Sequence, residues 1–182
     1  AHSVNQLLAM ARAEDQESAL RPLPVDLAHL TQDVVRDFVP KAMEKRIDLG
    51  YEGADPGGSA MLTGQPVLIG ELLRNLVDNA LKYAEGPPRV EVTCARSAEH
   101  AVVRVTDHGL GIAREHLPRL TERFYRVDRG RSRDAGGTGL GLAIVKHVVQ
   151  RHGAELDIQS EPGKGSRFRL VFPAARVRVS AE

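Results

Sequence analysis

Residues 71–83 read ELLRNLVDNALKY and repeat with the period of an amphipathic helix. At about 3.6 residues per turn, the apolar side chains of this stretch cover one broad arc of the helix. Five polar side chains fall within roughly 100° on the other side, and they are Glu71, Asn75, Asp78, Asn79 and Lys82. The pattern predicts a long helix over residues 66–84 that packs on a core through its apolar arc.

The polar face of this helix carries two asparagines one turn apart, Asn75 and Asn79. A solvated surface is the ordinary explanation for Glu, Asp and Lys on such a face, but Asn is a middling helix former that prefers caps and turns. An amide oxygen is a suitable Mg²⁺ ligand where phosphates supply the remaining charge, and Lys82 follows one turn later to meet those phosphates. The face is therefore a candidate catalytic and metal site.

Segments on either side of this helix alternate apolar and polar residues, as half-buried strands do. The expected strands cover about residues 47–51, 61–63, 90–94, 102–105, 155–160 and 166–172, with hairpin turns at 97–100 and 162–165. Two more helices are expected, one after a cap at Asp26 and one over residues 140–152. Interleaved helices and hairpins predict an α+β fold, a two-layer sandwich of a mixed, mainly antiparallel sheet with helices on one face.

The composition is that of an ordinary globular protein, with 42% apolar and 27% charged residues. The formal net charge of +1 argues against a general binder of nucleic acid or of membrane surfaces.

Cys94 is the single cysteine, so an intramolecular disulfide is excluded and a reducing cytoplasmic compartment is favoured. Cys94 is expected to be a small core residue. His147 and His152 lack the His-Glu-x-x-His spacing of a zinc site and are expected at the surface or partly packed. No apolar run is long enough to span a membrane.

The strand expected to end near Thr106 runs directly into Asp107-His-Gly109-Leu-Gly111-Ile112. Two glycines at a strand exit let the backbone approach a flat ligand, and the carboxylate can accept a hydrogen bond from an exocyclic amine. An ordinary turn also explains this pattern, because Asp and Gly are common turn residues.

Residues 136–143 read GGTGLGLA and precede the last expected helix. Four glycines before a helix can place backbone N–H groups and a helix N-terminus against an anion. The spacing differs from the dinucleotide-binding Gly-x-Gly-x-x-Gly, since Leu142 and Ile144 stand where its third glycine would be, and no Gly-Lys-Ser or Gly-Lys-Thr of a P-loop occurs. Residues 126–138 hold four Arg and two Asp with little apolar content, which predicts a mobile loop.

Taken in order, four motifs resemble the N, G1, F and G2 boxes of bacterial sensor histidine kinases. They are Asn75 to Asn79 with Lys82-Tyr83, Asp107-x-Gly-x-Gly, Phe124-Tyr125 and Gly137-x-Gly-x-Gly. The match runs from about Leu49 to Pro173 and is specific, because independent motifs keep their order and spacing. The stretch from Leu117 to His147 is particularly similar to sensor kinases of the phosphate regulon. The resemblance implies a Bergerat ATP-binding fold with a flexible lid.

The same resemblance implies ATP and Mg²⁺ as cofactors and assigns a role to each motif. Asn79 would coordinate Mg²⁺, Asn75 would assist the phosphate or metal shell, and Lys82 would contact phosphate. Asp107 would bind the adenine amine beside Tyr83. The remaining cofactor-binding residues would shape the base pocket, anchor the base of the lid or present lid groups to the phosphates, and they are Gly109, Gly111, Ile112, Phe124, Tyr125, Arg126, Arg133, Gly137, Thr138, Gly139, Leu140, Gly141 and Leu142.

The resemblance also divides the chain. Residues 1–24 would be a remnant of a dimerisation and acceptor-domain helix with a linker at about 15–24, residues 25–175 the catalytic ATP-binding domain, and residues 176–182 a tail. The family's acceptor motif, His followed by an acidic residue, Leu, Arg and Thr-Pro, occurs nowhere in the chain, so the fragment is expected to bind ATP without phosphorylating itself. The expected partners are the dimerisation domain of a parent kinase anchored in the bacterial inner membrane and a response regulator.

Two other functions stay open at this point. A gyrase-, MutL- or Hsp90-like ATPase would hydrolyse ATP, but such enzymes place a Glu base one turn before the metal-binding Asn, where this chain has Asn75. A non-catalytic module would use the same fold as a docking surface. The presence of Asn79, Asp107 and the lid glycines argues against that second alternative.

Overall fold

The computed structural model describes residues 22–53, 60–84, 89–97, 99–122, 125 and 141–173. Its strands are β1 (Leu23–Asp26), β2 (Asp48–Glu52), β3 (Met61–Gly64), β4 (Arg89–Arg96), β5 (Ala101–Asp107), β6 (Glu155–Glu161) and β7 (Gly165–Phe172). Its helices are α1 (Leu27–Glu44), α2 (Pro66–Tyr83) and α3 (Gly141–Arg151), with a 3₁₀ helix over Arg114–Arg119. The helices and strands predicted within these ranges are present near their predicted bounds, whereas β1 and the 3₁₀ helix were not predicted.

Five strands form the main sheet in the order β2-β4-β5-β7-β6. β2 runs parallel to β4, and every other neighbouring pair is antiparallel. Ser97 closes the hairpin between β4 and β5, because its hydroxyl accepts a hydrogen bond from the N–H of His100 at 3.0 Å. The predicted mixed, mainly antiparallel sheet is confirmed.

The helices cover one face of this sheet. Every second residue of β5 is buried, from Ala101 to Asp107, and the apolar arc of α2 packs on the same side. Each fully buried leucine of that arc contributes about 1.5–3 kcal/mol through the hydrophobic effect. Cys94 lies in this core at 2% exposure, and burial raises the pKa of its thiol to about 12, which confirms the predicted core position. None of the helices in the described ranges has the length and apolarity needed to cross a membrane.

A second, two-stranded sheet is formed by β1 and β3, which pair antiparallel. Leu23 and Pro24, at the end of the predicted linker over residues 15–24, belong to β1, and the rest of that linker stays a prediction. A proline is tolerated there, since β1 is an edge strand. Asp26, the last residue of β1, caps α1 by accepting a hydrogen bond from the N–H of His29 at 3.3 Å, as predicted.

His152 is 1% exposed, which corrects the expectation of a surface or partly packed position. Its Nδ1 lies 2.9 Å from the carbonyl oxygen of Val148, and its Nε2 accepts a hydrogen bond from the N–H of Gln65 at 3.0 Å. Both ring nitrogens are therefore satisfied when Nδ1 carries the proton. A Cβ at Gly64 would lie 2.8 Å from this ring, so the glycine lets the end of β3 close on the end of α3.

Candidate nucleotide-binding site

The carboxylate of Asp107 lies at the end of β5, on the helix-covered side of the sheet. Asp107 is 5% exposed, and its Oδ1 accepts a hydrogen bond from the N–H of Gly109 at 3.0 Å. Burial raises the pKa of the Asp107 carboxyl, while hydrogen bonds from the backbone of Gly109 and Ser166 oppose that rise. Two carboxylate oxygens have acceptor capacity beyond these bonds, so the group is suited to accept a hydrogen bond from a ligand amine.

The backbone closes tightly around Asp107 at two glycines. Gly111 has a φ of +72°, and a Cβ there would lie 1.9 Å from the carbonyl oxygen of Glu161. Gly165 has a φ of +105°, and a Cβ there would lie 2.1 Å from the carbonyl oxygen of Asp107 itself. Any other residue at these positions would force the backbone to move. The segment after Asp107 is thus held against the turn between β6 and β7.

The C-terminal half of α2 and Asp107 lie at the same end of the domain. Tyr83 ends α2, and residues 84–88 lead to Arg89 at the start of β4. Val90, the next residue, is the Cα partner of Asp107 across the hairpin. Five residues span at most roughly 18 Å, and α2 also packs directly on β5. The Asn-bearing helix end and the buried carboxylate therefore border the same end of the helix-covered layer.

The start of α3 faces the polar face of α2. A Cβ on Gly141 would lie 3.0 Å from Oδ1 of Asn75, so the glycine allows the close approach of the two helices. Nδ2 of Asn75 donates a hydrogen bond to the carbonyl oxygen of Glu71 at 2.7 Å, which holds this amide in place. A helix N-terminus presents unpaired N–H groups and a partial positive charge, which favour an anion. The structure thus brings the end of the predicted lid to the predicted catalytic face.

Lys82, the predicted phosphate ligand, is ion-paired on this face. Its Nζ lies 3.0 Å from Oδ2 of Asp78, and Nζ of Lys41 in α1 lies 2.5 Å from Oδ1 of the same carboxylate. Although burial acts to raise it, the two ammonium groups hold the pKa of Asp78 below its ordinary value. Sequence reasoning placed Asp78 on the polar face but missed Lys41, because the two residues are 37 positions apart in the chain and no local pattern indicates their contact.

Tyr125 packs on the 3₁₀ helix. The guanidinium carbon of Arg119 lies 4.4 Å from the centre of the Tyr125 ring, which is a cation–π contact. The hydroxyl of Tyr125 also forms a short hydrogen bond with Nδ1 of His116. Tyr125 is therefore held by the 3₁₀ helix, and its predicted contact with the nucleotide stays a prediction.

The other predicted site residues divide into two groups. Asn79, Tyr83, Ile112 and Leu142 are half-buried around the same end of the domain, and Gly109 is buried. Outside the described residues lie Phe124, Arg126, Arg133, Gly137, Thr138, Gly139 and Leu140, as do the predicted helix over residues 4–14 and the loop over 126–138. The roles assigned to all of them stay predictions.

A groove of about 260 Å³ lies elsewhere, on the open face of the sheet at β2 and β4. Asp48, Glu52 and Glu91 line it, and it contains no predicted site residue. In the part of the chain that is described, no group of three or more His, Cys, Asp or Glu side chains could hold a metal ion.

Comparison with known proteins identifies the family of this chain. The family described as "Histidine kinase-, DNA gyrase B-, and HSP90-like ATPase" matches residues 64–176. The phosphate regulon sensor protein PhoR of Pseudomonas aeruginosa is 40% identical over 178 residues, which cover 96% of this chain and 39% of PhoR. The chain thus spans less than half the length of the curated relatives it matches.

Solved protein structures share the fold of this chain. Full-length ShkA in complex with AMPPNP is 28% identical with a TM-score of 0.79, over 98% of this chain and 36% of ShkA. The mycobacterial sensor histidine kinase MprB is 27% identical with a TM-score of 0.70, over 84% of this chain and 97% of the solved MprB chain. The α+β fold predicted from the sequence is confirmed, and this chain belongs to the histidine kinase-, DNA gyrase B- and HSP90-like ATPase family.

Proposed function

We propose that this chain is the ATP-binding catalytic domain of a sensor histidine kinase and transfers the γ-phosphoryl group of Mg-ATP to a histidine on a separate dimerisation domain. The observation that carries the proposal is the close approach of Gly141, at the start of α3, to the amide of Asn75 on α2. The buried carboxylate of Asp107 ends β5 opposite Val90, shortly after the connection that follows α2. The similarity to PhoR, a sensor protein, and to ShkA, solved with an ATP analogue, supports it.

Each residue has a distinct task in this proposal. Asp107 accepts a hydrogen bond from the adenine amine and so selects the base. Asn79, assisted by Asn75, holds Mg²⁺, whose chemical contribution is to neutralise phosphate charge. Lys82 and the start of α3 at Gly141 hold the phosphates. Phosphoryl transfer requires mainly positioning and charge neutralisation, so this domain can hold Mg-ATP while another domain supplies the nucleophile.

The proposal extends to the parent protein and its signalling partner. After transfer, the phosphohistidine would pass its phosphoryl group to an Asp of a response regulator. We place the parent kinase in the bacterial inner membrane with this domain on the cytoplasmic side. The 40% identity with PhoR supports a kinase of the phosphate-regulon type.

A nucleotide titration tests the proposed function. The dissociation constants of Mg-ATP and of adenosine are measured by calorimetry for the wild type, Asn79→Ala and Asp107→Ala. We expect Asn79→Ala to weaken Mg-ATP by about tenfold or more and to leave adenosine unchanged, whereas Asp107→Ala weakens both ligands. Thr106→Ala is the matched control, because Thr106 precedes Asp107 but points to the open face of the sheet. Absence of Mg-ATP binding by the wild type at millimolar concentration would favour the docking module instead.

The rate of ATP hydrolysis by the isolated chain distinguishes the proposed kinase from a gyrase-, MutL- or Hsp90-like ATPase. A water-activating Glu is expected one turn before the metal-binding Asn in such ATPases, and Asn75 occupies that position. An amide does not take a proton from water, so the isolated chain should release phosphate only slowly. If the wild type released phosphate continuously and Asn79→Ala did not, the chain would be an ATPase and the proposed kinase function would be wrong.

A further inference from the structure

We propose that Asp78 is a positioning residue that holds the Lys82 ammonium on the polar face of α2, and that Lys41 shares the charge of Asp78 so that Lys82 can still bind phosphate. This inference rests on the proposed function, in which Lys82 contacts the nucleotide. The inference adds Asp78 of α2 and Lys41 of α1 to the phosphate site. Both residues act on the position and charge of Lys82 and do not contact the nucleotide.

The geometry gives each oxygen of Asp78 one lysine. Oδ2 lies 3.0 Å from Nζ of Lys82, one turn further along α2, and Oδ1 lies 2.5 Å from Nζ of Lys41 in α1. The side chain of Lys82 is 8% exposed and that of Asp78 is 15% exposed, so water screens this contact poorly. A lysine has a long, flexible stem. The ion pair therefore restricts where the Lys82 ammonium can lie.

The net charge of the Asp78, Lys82 and Lys41 side chains explains why Lys41 is needed. Asp78 with Lys82 alone would be a neutral pair, and a carboxylate beside a triphosphate repels it. Lys41 makes the group of three side chains net positive. Lys45 lies close by, where its Nζ donates a hydrogen bond to the carbonyl oxygen of Leu81 at 3.4 Å, and it adds to the positive charge near the end of α2.

A purely structural role is the main alternative, because Lys41–Asp78 also joins α1 to α2. The structure offers a matched control for that role. Arg74 of α2 and Asp37 of α1 form a second ion pair between the same two helices, with a separation of 3.6 Å. Removal of Asp37 therefore breaks a bridge between α1 and α2 while Lys41, Asp78 and Lys82 all stay in place.

The experiment compares ligands with and without phosphates. Dissociation constants of Mg-ATP and adenosine are measured for the wild type, Lys41→Met, Lys41→Arg and Asp37→Asn. We expect Lys41→Met to weaken Mg-ATP by about tenfold and adenosine by less than about twofold. Lys41→Arg keeps the charge and should retain the affinity for Mg-ATP, and Asp37→Asn should change neither ligand. Equal losses of both ligands in Lys41→Met, or a loss no larger than in Asp37→Asn, would overturn the proposal.

A double-mutant cycle with Asp78→Asn separates action through Asp78 from direct contact with phosphate. If Lys41 acts by sharing the charge of Asp78, the loss caused by Lys41→Met should disappear when residue 78 is already neutral. A loss that persists in the Asp78→Asn background would mean that Lys41 attracts phosphate directly, and the inference would be wrong. Failure of the wild type to bind Mg-ATP would instead contradict the proposed function, on which this inference rests.

Discussion

At the scale of single residues, the carboxyl groups of Asp107 and Asp78 have pKa values that shift in opposite directions on folding. Burial raises the pKa of Asp107, whose partners are backbone N–H groups. The ammonium groups of Lys41 and Lys82 lower the pKa of Asp78. The ionised form of Asp107 is therefore disfavoured by folding, whereas the ionised form of Asp78 is favoured. An ionised carboxylate that lowers the free energy of unfolding is typical of a functional site.

The two carboxylates should give opposite pH dependences of stability. In the folded state the pKa of Asp107 lies above its unfolded value of about 3.9. The free energy of unfolding of the wild type therefore falls as pH rises from the unfolded pKa to the folded pKa. Relative to the wild type, the free energy of unfolding of Asp107→Asn should therefore increase between about pH 3 and about pH 7. The measurement is urea unfolding of the nucleotide-free protein at a series of pH values.

Asp78→Asn serves as the counterpart in the same measurement. The folded-state pKa of Asp78 lies below the unfolded value, so its ionisation stabilises the wild type above that value and the stabilisation is lost as pH falls through the folded pKa. The free energy of unfolding of Asp78→Asn should decrease relative to the wild type as pH rises, with a loss of about 1–3 kcal/mol near pH 7. Slopes of the same sign for both variants would contradict the assignment.

At the scale of elements, His152 joins the end of α3 to the connection between β3 and α2. Its ring accepts the N–H of Gln65 and approaches the backbone of Gly64 so closely that no Cβ fits there. The same α3 begins at Gly141 against Asn75. The buried histidine therefore helps to set the position of a helix that borders the candidate site at its other end.

Replacement of His152 should destabilise the domain. His152→Leu leaves the buried N–H of Gln65 without its acceptor, so we expect the free energy of unfolding to fall by about 2 kcal/mol. Denaturant unfolding measures this change. Gln150→Ala is the control, because Gln150 is exposed on the same helix and surface substitutions usually change stability by less than about 0.5 kcal/mol. Unchanged stability of His152→Leu would show that the buried hydrogen bond contributes nothing.

At the scale of the whole molecule, the proposed reaction needs a nucleophile that this chain lacks. Incubation of the isolated chain with γ-labelled Mg-ATP should produce no acid-labile phosphohistidine. Addition of the dimerisation domain of the parent kinase should produce it on that domain, and Asn79→Ala should abolish the transfer. The measurement is the acid- and base-stability of the protein-bound label. Acid-labile label on a histidine of the isolated chain would contradict the proposed division of labour.

Local pattern was sufficient to predict most of the elements and the two hairpins of the main sheet. The apolar period of α2 and the alternation in β4 and β5 are set by neighbours a few residues apart, so they are visible in sequence. β1 was not predicted, because it is four residues long and contains Pro24. The Asp107 turn was predicted as a base-binding feature, and its Gly111 has a positive φ and a close backbone contact in the structure.

The amino-acid sequence by itself determined the family, the fold class and which side chains share the polar face of α2, because these depend on short-range spacing and on motif order. Only the tertiary structure decided that Lys41 meets Asp78, that His152 is buried against Gln65, and that Gly141 lies on Asn75. Each of these contacts joins residues far apart in the chain. Their formation depends on how the layers pack, and no local periodicity encodes which distant partner a charged or polar side chain will meet.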